Sequence, residues 1–294
     1  MHPERPQRLR AIVEGLKASG VLDELVLHEP HECDRRWIES VHEPAHVQRI
    51  EQAGRRAPVL LDSGDTVMSP GTYRAACLAV GGALEAVDRV VTGEWRRAFV
   101  AARPPGHHAE RNAAMGFCFF NQVAVAARYA QQRHSIQRVA IVDFDVHHGN
   151  GTQHIFETDP TVFYASIHQW PLYPGTGAAG ERGSGVALGT TLNCPLPEGS
   201  SDREWTLAME RIVSELDAFA PELLLISAGF DAHRDDPIAG TLVTEEGYRA
   251  MTDLLLDLAR RHCSGRAVSL LEGGYDLRAL ARSVETHVAC MLAG

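Results

Sequence analysis

Residues 143–151, with the sequence DFDVHHGNG, hold the densest group of side chains that can do chemistry. They follow a short apolar run, residues 139–142, whose valine and isoleucine content is typical of a buried strand in a parallel sheet. Side chains alternate along a strand, so Asp143, Asp145 and His147 are expected on one side of the chain. Carboxylates and imidazoles bind zinc and similar divalent cations. The spacing therefore predicts a metal site where this strand ends.

A third metal ligand is predicted from a second apolar run, residues 223–227, which leads to Asp231. A catalytic zinc takes three protein ligands and leaves one position open for water or substrate. Asp145, His147 and Asp231 are the candidate set. Taken alone, Asp231 is better explained as a helix cap, a turn residue or a hydrogen-bonded polar side chain, but three such residues at the end of one sheet favour a metal site.

Two adjacent imidazoles, His107 and His108, are candidates for general base and acid, because imidazole titrates near neutral pH. Asp143 could orient one ring and Asn150 the other, although Asn150 beside glycine also fits a left-handed turn. Tyr275 follows two glycines, and a neutral phenol can donate a hydrogen bond to a developing oxyanion. A core tyrosine is the alternative interpretation at that position.

The elements that must position these residues alternate between strands and helices, which predicts an α/β fold with a mainly parallel central sheet flanked by helices. In such sheets, ligands bind beyond the carboxyl ends of the strands, so the polar residues there should meet along one edge. Residues 170–201 contain seven glycines and four prolines with little periodicity, and predict a long functional loop. Predicted strands cover residues 98–102, 139–142, 161–167, 223–227 and 267–271, and predicted helices cover 7–19, 44–52, 72–92 and 121–132, with two more ending near Phe219 and Leu258.

The totals indicate a soluble globular protein rather than a disordered, fibrous or membrane protein. The chain has 294 residues, of which 45% are hydrophobic, and we expect residues 1–294 to form a single domain. No apolar run approaches the roughly 18 residues that span a bilayer, and no secretory signal is apparent, so a cytoplasmic location is expected. The net charge of −10 argues against direct nucleic-acid binding. The six cysteines show no paired spacing. The sequence leaves open whether the chain forms a homo-oligomer.

Five motifs in this order resemble the zinc-dependent histone deacetylase family, most closely its class II members, their bacterial relatives and the acetylpolyamine amidohydrolases. The motifs are RPPGHHA (103–109), GFCFFN (116–121), DFDVHHGNGTQ (143–153), SAGFD (227–231) and LEGGY (271–275). The resemblance implies a three-layer fold of the arginase and deacetylase type. It also implies hydrolysis of an N-acyl amide, usually that of acetyl-lysine or a similar acylated amine, to the free amine and a carboxylate.

The resemblance also assigns roles to single residues. It implies Zn²⁺ held by Asp145, His147 and Asp231, with His108 as general base, His107 as its electrostatic partner, Asp143 and Asn150 supporting the two imidazoles, and Tyr275 polarising the scissile carbonyl. It implies a structural K⁺ near Asp143, Asp145, His147, Ser166 and Ile167. The substrate-binding residues that it implies are Phe117, Tyr173, Gly116, Gly274, Asp62 at the rim, and Ile238 at a gatekeeper position. Polyamine-specific relatives carry an acidic residue at that position, so Ile238 disfavours a dedicated polyamine deacetylase.

Two other functions are compatible with parts of the sequence. A binuclear manganese ureohydrolase would need a second aspartate where this chain has His233. A catalytically silent acyl-amine binding protein would not need every catalytic position filled, as they are here. Relatives of the resembled family begin with a strand before the segment that matches residues 2–6, so we expect the first strand of the family to be missing.

Overall fold

The computed structural model describes residues 2–62, 64 and 66–294, and it has the expected alternation of strands and helices. The helices are α1 (Gln7–Ala18), α2 (Arg35–Ile38), α3 (Pro44–Arg56), α4 (Thr72–Val91), α5 (Gln122–His134), α6 (Asn150–Phe156), α7 (Asp202–Phe219), α8 (Glu245–His262) and α9 (Leu277–Ala293). The strands are β1 (Val59–Leu60), β2 (Val67–Met68), β3 (Arg97–Val100), β4 (Val139–Asp143), β5 (Val162–Gln169), β6 (Thr191–Leu196), β7 (Leu223–Ala228) and β8 (Ala267–Leu271).

In the described part of the chain, six parallel strands form the central sheet in the order β3-β8-β7-β4-β5-β6. Strand β4 lies between β7 and β5, and Asp143 is in register with Ser227 on one side and Ser166 on the other. The carboxyl ends of these three strands therefore lie side by side. The order of the strands places the segments that carry the candidate ligands next to each other.

Helices cover both faces of the sheet, and alternate residues of β4 show this division. Ala140 and Val142 pack into a core with α1, α7, α8 and α9, whereas Val139 and Ile141 pack into a second core with α3, α4, α5 and α6. Every residue of β4 is buried, as expected for a parallel strand between two helical layers. The three-layer α/β architecture predicted from the sequence is confirmed.

Two sequence predictions about this architecture are wrong in detail. Strand β4 ends at Asp143, so Asp145 and His147 lie in the bends that follow it rather than on a strand face. Residues 170–201 are not one long loop, because β6 runs through them and pairs with β5 at the sheet edge. Polar and proline residues in β6, such as Asn193 and Pro195, interrupt the apolar pattern by which a strand is recognised in a sequence. Helix α9 was not predicted at all.

Helix α9 begins directly after the LEGGY motif. The carboxylate of Asp276 caps it by accepting hydrogen bonds from the backbone N–H groups of Arg278 and Ala279. This cap fixes where the loop before the helix ends. Among the described residues, no helix combines the length and apolar character needed to cross a membrane.

Candidate active site

Three candidate metal ligands converge where β4 and β7 end. Asp145, His147 and Asp231 are buried, and one ligand atom from each lies within 4.8 Å of the others. The ring nitrogen Nδ1 of His147 lies 3.0 Å from Oδ1 of Asp145 and 3.2 Å from Oδ2 of Asp231. Within the described part of the chain, this is the one group of three or more such residues close enough to share an ion.

The hydrogen bonds of Asp231 leave one of its carboxylate oxygens available to a cation. Oδ1 of Asp231 accepts the backbone N–H of Val146, whereas Oδ2 is buried and has no hydrogen-bond partner among the described residues. Nδ1 of His147 is near this oxygen, but their geometry is not that of a hydrogen bond. A buried, unpartnered carboxylate oxygen is costly unless something positive faces it. A divalent metal bound by all three residues meets this requirement.

The electrostatic field at the same point favours positive charge. Burial alone lowers the pKa of His147, but the neighbouring carboxylates of Asp145 and Asp231 outweigh burial and raise the pKa to about 10. Gly273 keeps the space beside the carboxylates open, because a Cβ there would lie 2.0 Å from Oδ2 of Asp231. The donor set and the field both fit a zinc-type cation.

The tandem histidines have different partners and therefore different charges. Nδ1 of His107 donates to Asp143 at 3.0 Å, and Nδ1 of His108 lies 2.8 Å from Oδ1 of Asn150. Burial lowers the pKa of His107, but Asp143 and Asp145 outweigh burial and raise it to about 10. For His108, burial and then the charges of neighbouring histidines hold the pKa well below its usual value. These shifts favour the charged form of His107 and the neutral form of His108.

The loop that carries Tyr275 is held by a buried arginine from α1. Nε of Arg8 donates to the carbonyl of Gly274 at 2.6 Å, and Nη2 donates to the carbonyl of Glu272 at 2.5 Å. The guanidinium carbon lies 5.0 Å from the centroid of the Tyr275 ring. Burial raises the pKa of Tyr275 well above its usual value, so the phenol is neutral and can donate a hydrogen bond.

Two aromatic rings lie beside the candidate catalytic side chains. The ring of Tyr173 is 5.1 Å from that of His108, and the ring of Phe117 is 6.0 Å from that of Tyr275. Tyr173 is 44% exposed, so it lies where the site meets solvent. Gly116 packs directly on His108, because a Cβ at this position would come within 2.4 Å of the imidazole Cδ2. The predicted channel residues are therefore next to the predicted catalytic ones.

The comparisons with known proteins agree with this geometry. A family model described as a histone deacetylase domain matches residues 2–291. The chain belongs to the histone deacetylase family. It is similar to a probable deacetylase from Archaeoglobus fulgidus, with 36% identity over 100% of this chain and 82% of the relative. It is also similar to a histone deacetylase-like amidohydrolase from Pseudomonas aeruginosa, with 38% identity over 94% of this chain and 73% of the relative.

A solved structure supports the same family. The crystal structure of the HDA15 HD domain matches 99% of this chain and 82% of its own, with a TM-score of 0.95 and 40% identity. The resemblance to histone deacetylases and the arginase and deacetylase type of fold, both predicted from the motifs, are confirmed. Relatives named deacetylases and amidohydrolases support a hydrolase that removes acyl groups.

Two other predicted residues of this histone deacetylase family member, Asp62 and Ile238, have hydrogen-bond partners in their own loops. The carboxylate of Asp62 accepts hydrogen bonds from its own loop, at the backbone N–H groups of Gly64 and Thr66 and at the Thr66 hydroxyl. The Thr66 hydroxyl in turn accepts the backbone N–H of Phe117 at 3.1 Å, so this loop is tied to the channel. Ile238 is partly buried, and its backbone N–H binds Asp236.

Three of the predicted K⁺ residues lie on the β4–β5 pair. Asp143 is in register with Ser166, and Ile167 follows on β5. The Ser166 hydroxyl lies 2.9 Å from Nδ1 of His168.

His233 stands where a binuclear manganese site would need a second aspartate. Its Nε2 lies 3.4 Å from Oε1 of Glu245.

Sequence reasoning missed buried charged residues that organise the histone deacetylase family site. Arg8 is one, and Glu272 is another, since its carboxylate accepts the backbone N–H groups of Gly106 and His107. Burial raises the pKa of Glu272 to about 7. The sequence carries one signal for Glu272: it is a charged residue directly after the apolar run of β8, at a position where burial is expected. No sequence pattern marked Arg8, because it lies on a helix far from the motifs.

Proposed function

We propose that this chain is a zinc-dependent deacetylase that hydrolyses the N-acyl amide of acetyl-lysine or a similar acylated amine. The observation that carries the proposal is the unpartnered Oδ2 of Asp231 within a buried triad that also contains Asp145 and His147. The neutral base His108 and the neutral phenol of Tyr275 lie beside this triad. The whole chain acts as one catalytic domain in this proposal.

Asp145, His147 and Asp231 would hold the zinc, and the bound ion would supply a Lewis acid that polarises a carbonyl and makes a water molecule more acidic. K⁺ would bind near Asp143 on β4 and near Ser166 and Ile167 on the adjacent strand β5, held partly by main-chain oxygens. Oxygen ligands suit this cation, and its charge would offset the buried carboxylate.

Each of these side chains has a separate role in the proposed amide hydrolysis. His108 takes a proton from the attacking water at Nε2 and later delivers it to the leaving nitrogen, so water and amide become carboxylate and amine. Asn150 orients this ring through Nδ1. Charged His107, held by Asp143, stabilises the negative charge that develops nearby. Tyr275 donates a hydrogen bond to the substrate carbonyl as it gains negative charge.

The residues around the catalytic groups favour an acyl-lysine over a polyamine. Phe117 and Tyr173 provide aromatic surface beside the site, which suits the apolar methylene chain of lysine. Ile238 offers no carboxylate to a second ammonium group. Gly116 packs tightly against His108 and Tyr173, and Gly274 packs tightly against Leu280 and Phe230, so each glycine lets its loop lie close beside these side chains.

An activity screen tests the proposal. The zinc-loaded chain is incubated with acetyl-lysine peptides, longer acyl-lysine peptides and acetylated polyamines, and metal content is measured in parallel. We expect one zinc per chain and hydrolysis of an acyl-lysine, with both lost in Asp231→Asn. Binding of these ligands without hydrolysis by the zinc-loaded chain would favour a silent binding protein. Two metal ions per chain with urea release from guanidino substrates would favour a ureohydrolase.

A further inference from the structure

The side-chain amide of Asn150 joins His108 to a carboxylate that the mechanism above does not use. Asn150 is the first residue of α6 and is 6% exposed. Its Oδ1 lies 2.8 Å from Nδ1 of His108, and its Nδ2 donates to Oε1 of Glu110 at 2.8 Å. The amide therefore stands between the candidate base and Glu110.

The carboxylate fixes which way the amide points. A carboxylate only accepts hydrogen bonds, so the NH₂ end of Asn150 must face Glu110 and the carbonyl end must face His108. The other neighbour of Nδ2 is the Met115 thioether at 3.4 Å, which is a weak acceptor. Glu110 is therefore the stronger of the two acceptors, and it holds the amide in this orientation.

The orientation of the amide sets the tautomer of the base. A carbonyl oxygen accepts, so Nδ1 of His108 must carry a hydrogen, and in the neutral ring Nε2 then keeps its lone pair. If the amide turned over, its NH₂ would face Nδ1 of His108 and favour the tautomer that is protonated at Nε2. That tautomer has no lone pair with which to accept a proton on the substrate side.

Glu110 is itself held in place. Its backbone N–H donates to the carbonyl of Ala113 at 2.9 Å, and its own carbonyl lies 2.8 Å from Nδ1 of His42. Its second carboxylate oxygen, Oε2, is 3.2 Å from Nδ1 of His154 on α6. These contacts leave Oε1 directed at Asn150.

The arrangement differs from that of the neighbouring ring. His107 is bonded directly to the carboxylate of Asp143, which favours its charged form. For His108 the carboxylate is one amide further away, so the ring is oriented by Glu110 without a carboxylate in direct contact. A neutral ring with a defined tautomer is what a general base needs.

We propose that Glu110 is a positioning residue that fixes the Asn150 amide and, through it, the Nδ1–H tautomer of His108. The proposal rests on the proposed function of His108 as the general base. It adds a residue that acts through Asn150 rather than on the substrate.

Kinetic measurements on three variants of the zinc-loaded chain test the effect on turnover. Glu110→Met removes the acceptor at similar size, and we expect kcat to fall by about 10-fold or more with KM and zinc content nearly unchanged. Glu110→Gln keeps an acceptor oxygen and should recover most of that loss. Glu157→Met, an exposed glutamate just after α6, is the matched control and should behave like the wild type.

A double-mutant cycle separates positioning from a general structural effect. In an Asn150→Ala background, Glu110→Met should cause little further loss, because the amide through which Glu110 acts is gone. Equal losses in both backgrounds would overturn the proposal. So would an unchanged kcat in Glu110→Met.

A spectroscopic measurement keeps the test independent of deacetylase activity. Nitrogen-15 spectra of the zinc-loaded, histidine-labelled chain, with His108 assigned by its loss in His108→Gln, distinguish the two ring tautomers. We expect Nδ1–H in the wild type and in Glu110→Gln, and a shift toward Nε2–H in Glu110→Met. An Nε2–H tautomer in the wild type, or no change in Glu110→Met, would contradict the inference. Failure of the wild type to hydrolyse any acyl-lysine would contradict the proposed function but leave this measurement valid.

Discussion

The carboxylate of Asp236 holds the backbone of Tyr275. Its Oδ2 accepts the N–H of Tyr275 at 2.6 Å and that of Asp276 at 3.1 Å, while Oδ1 accepts the N–H of Ile238 at 3.2 Å. Arg8 binds carbonyl groups of the same loop from the other side. Two buried ionisable residues therefore hold the loop that carries the phenol: Asp236 accepts backbone N–H groups, and Arg8 donates to backbone carbonyl groups.

Replacing this carboxylate should misplace the phenol. Asp236→Ala leaves the N–H groups of Tyr275 and Asp276 without their acceptor, at a cost of about 1–3 kcal/mol in the free energy of unfolding. We expect kcat to fall by about 10-fold or more while zinc content stays near one per chain. Denaturant unfolding, metal analysis and steady-state kinetics measure the three effects. The control is Asp235→Ala, whose half-exposed side chain binds Arg282, and a kcat equal in both variants would refute the role of Asp236.

The phenol itself should contribute to turnover but not to metal binding. Tyr275→Phe removes the hydroxyl and keeps the ring that packs near Arg8 and Phe117. We expect kcat to fall by roughly 10²-fold, the scale for the loss of one oxyanion donor, with zinc retained. Steady-state kinetics with metal analysis provide the check. Unchanged turnover would contradict the assigned role of Tyr275.

The general base and a metal ligand should give different results when each is removed. His108→Ala should abolish most hydrolysis at neutral pH with zinc still bound, because His108 contacts Asn150 and not the candidate carboxylate ligands. His147→Ala should lose zinc as well as activity. Metal analysis of both variants after dialysis measures the difference. Loss of zinc from His108→Ala would mean that a ligand has been mistaken for a base.

A buried histidine away from the site should make the fold sensitive to acid. His287 lies 2.8 Å from the hydroxyls of both Thr252 and Ser269, and burial lowers its pKa to about 3. The unfolded chain binds a proton near pH 6.5 and the folded chain does not until about pH 3, so stability is full above pH 6.5 and falls as the pH drops between these values. For this one residue, the expected loss between pH 7 and pH 5 is about 2 kcal/mol.

Urea unfolding of the wild type and His287→Gln at both pH values measures this contribution. The variant should be less stable than the wild type at pH 7, and the difference should shrink at pH 5 because glutamine does not titrate. His31→Gln is the control, since that side chain is 90% exposed, and it should retain the pH dependence of the wild type. A pH dependence in His287→Gln equal to that of the wild type would show that His287 does not carry the effect.

Local sequence was enough to predict the fold class and the convergence of the three candidate metal ligands. Apolar runs such as residues 139–142 form strands because both faces of a parallel sheet are buried. Ligands after β4 and β7 meet because the carboxyl ends of parallel strands share an edge. The strand-face argument for Asp145 and His147 was wrong, yet the residues converge, because the bends after β4 turn them toward Asp231.

The sequence by itself determined which chemical groups are present and at which strand ends they stand. Only the tertiary structure decided which other residues hold these groups in position. The contacts that do so join segments that are distant along the chain. Arg8 binds the carbonyl of Gly274 across 266 residues, and Glu110 reaches His108 only through Asn150 on another element. No local pattern specifies such pairs, since they depend on how helices and loops pack around the sheet.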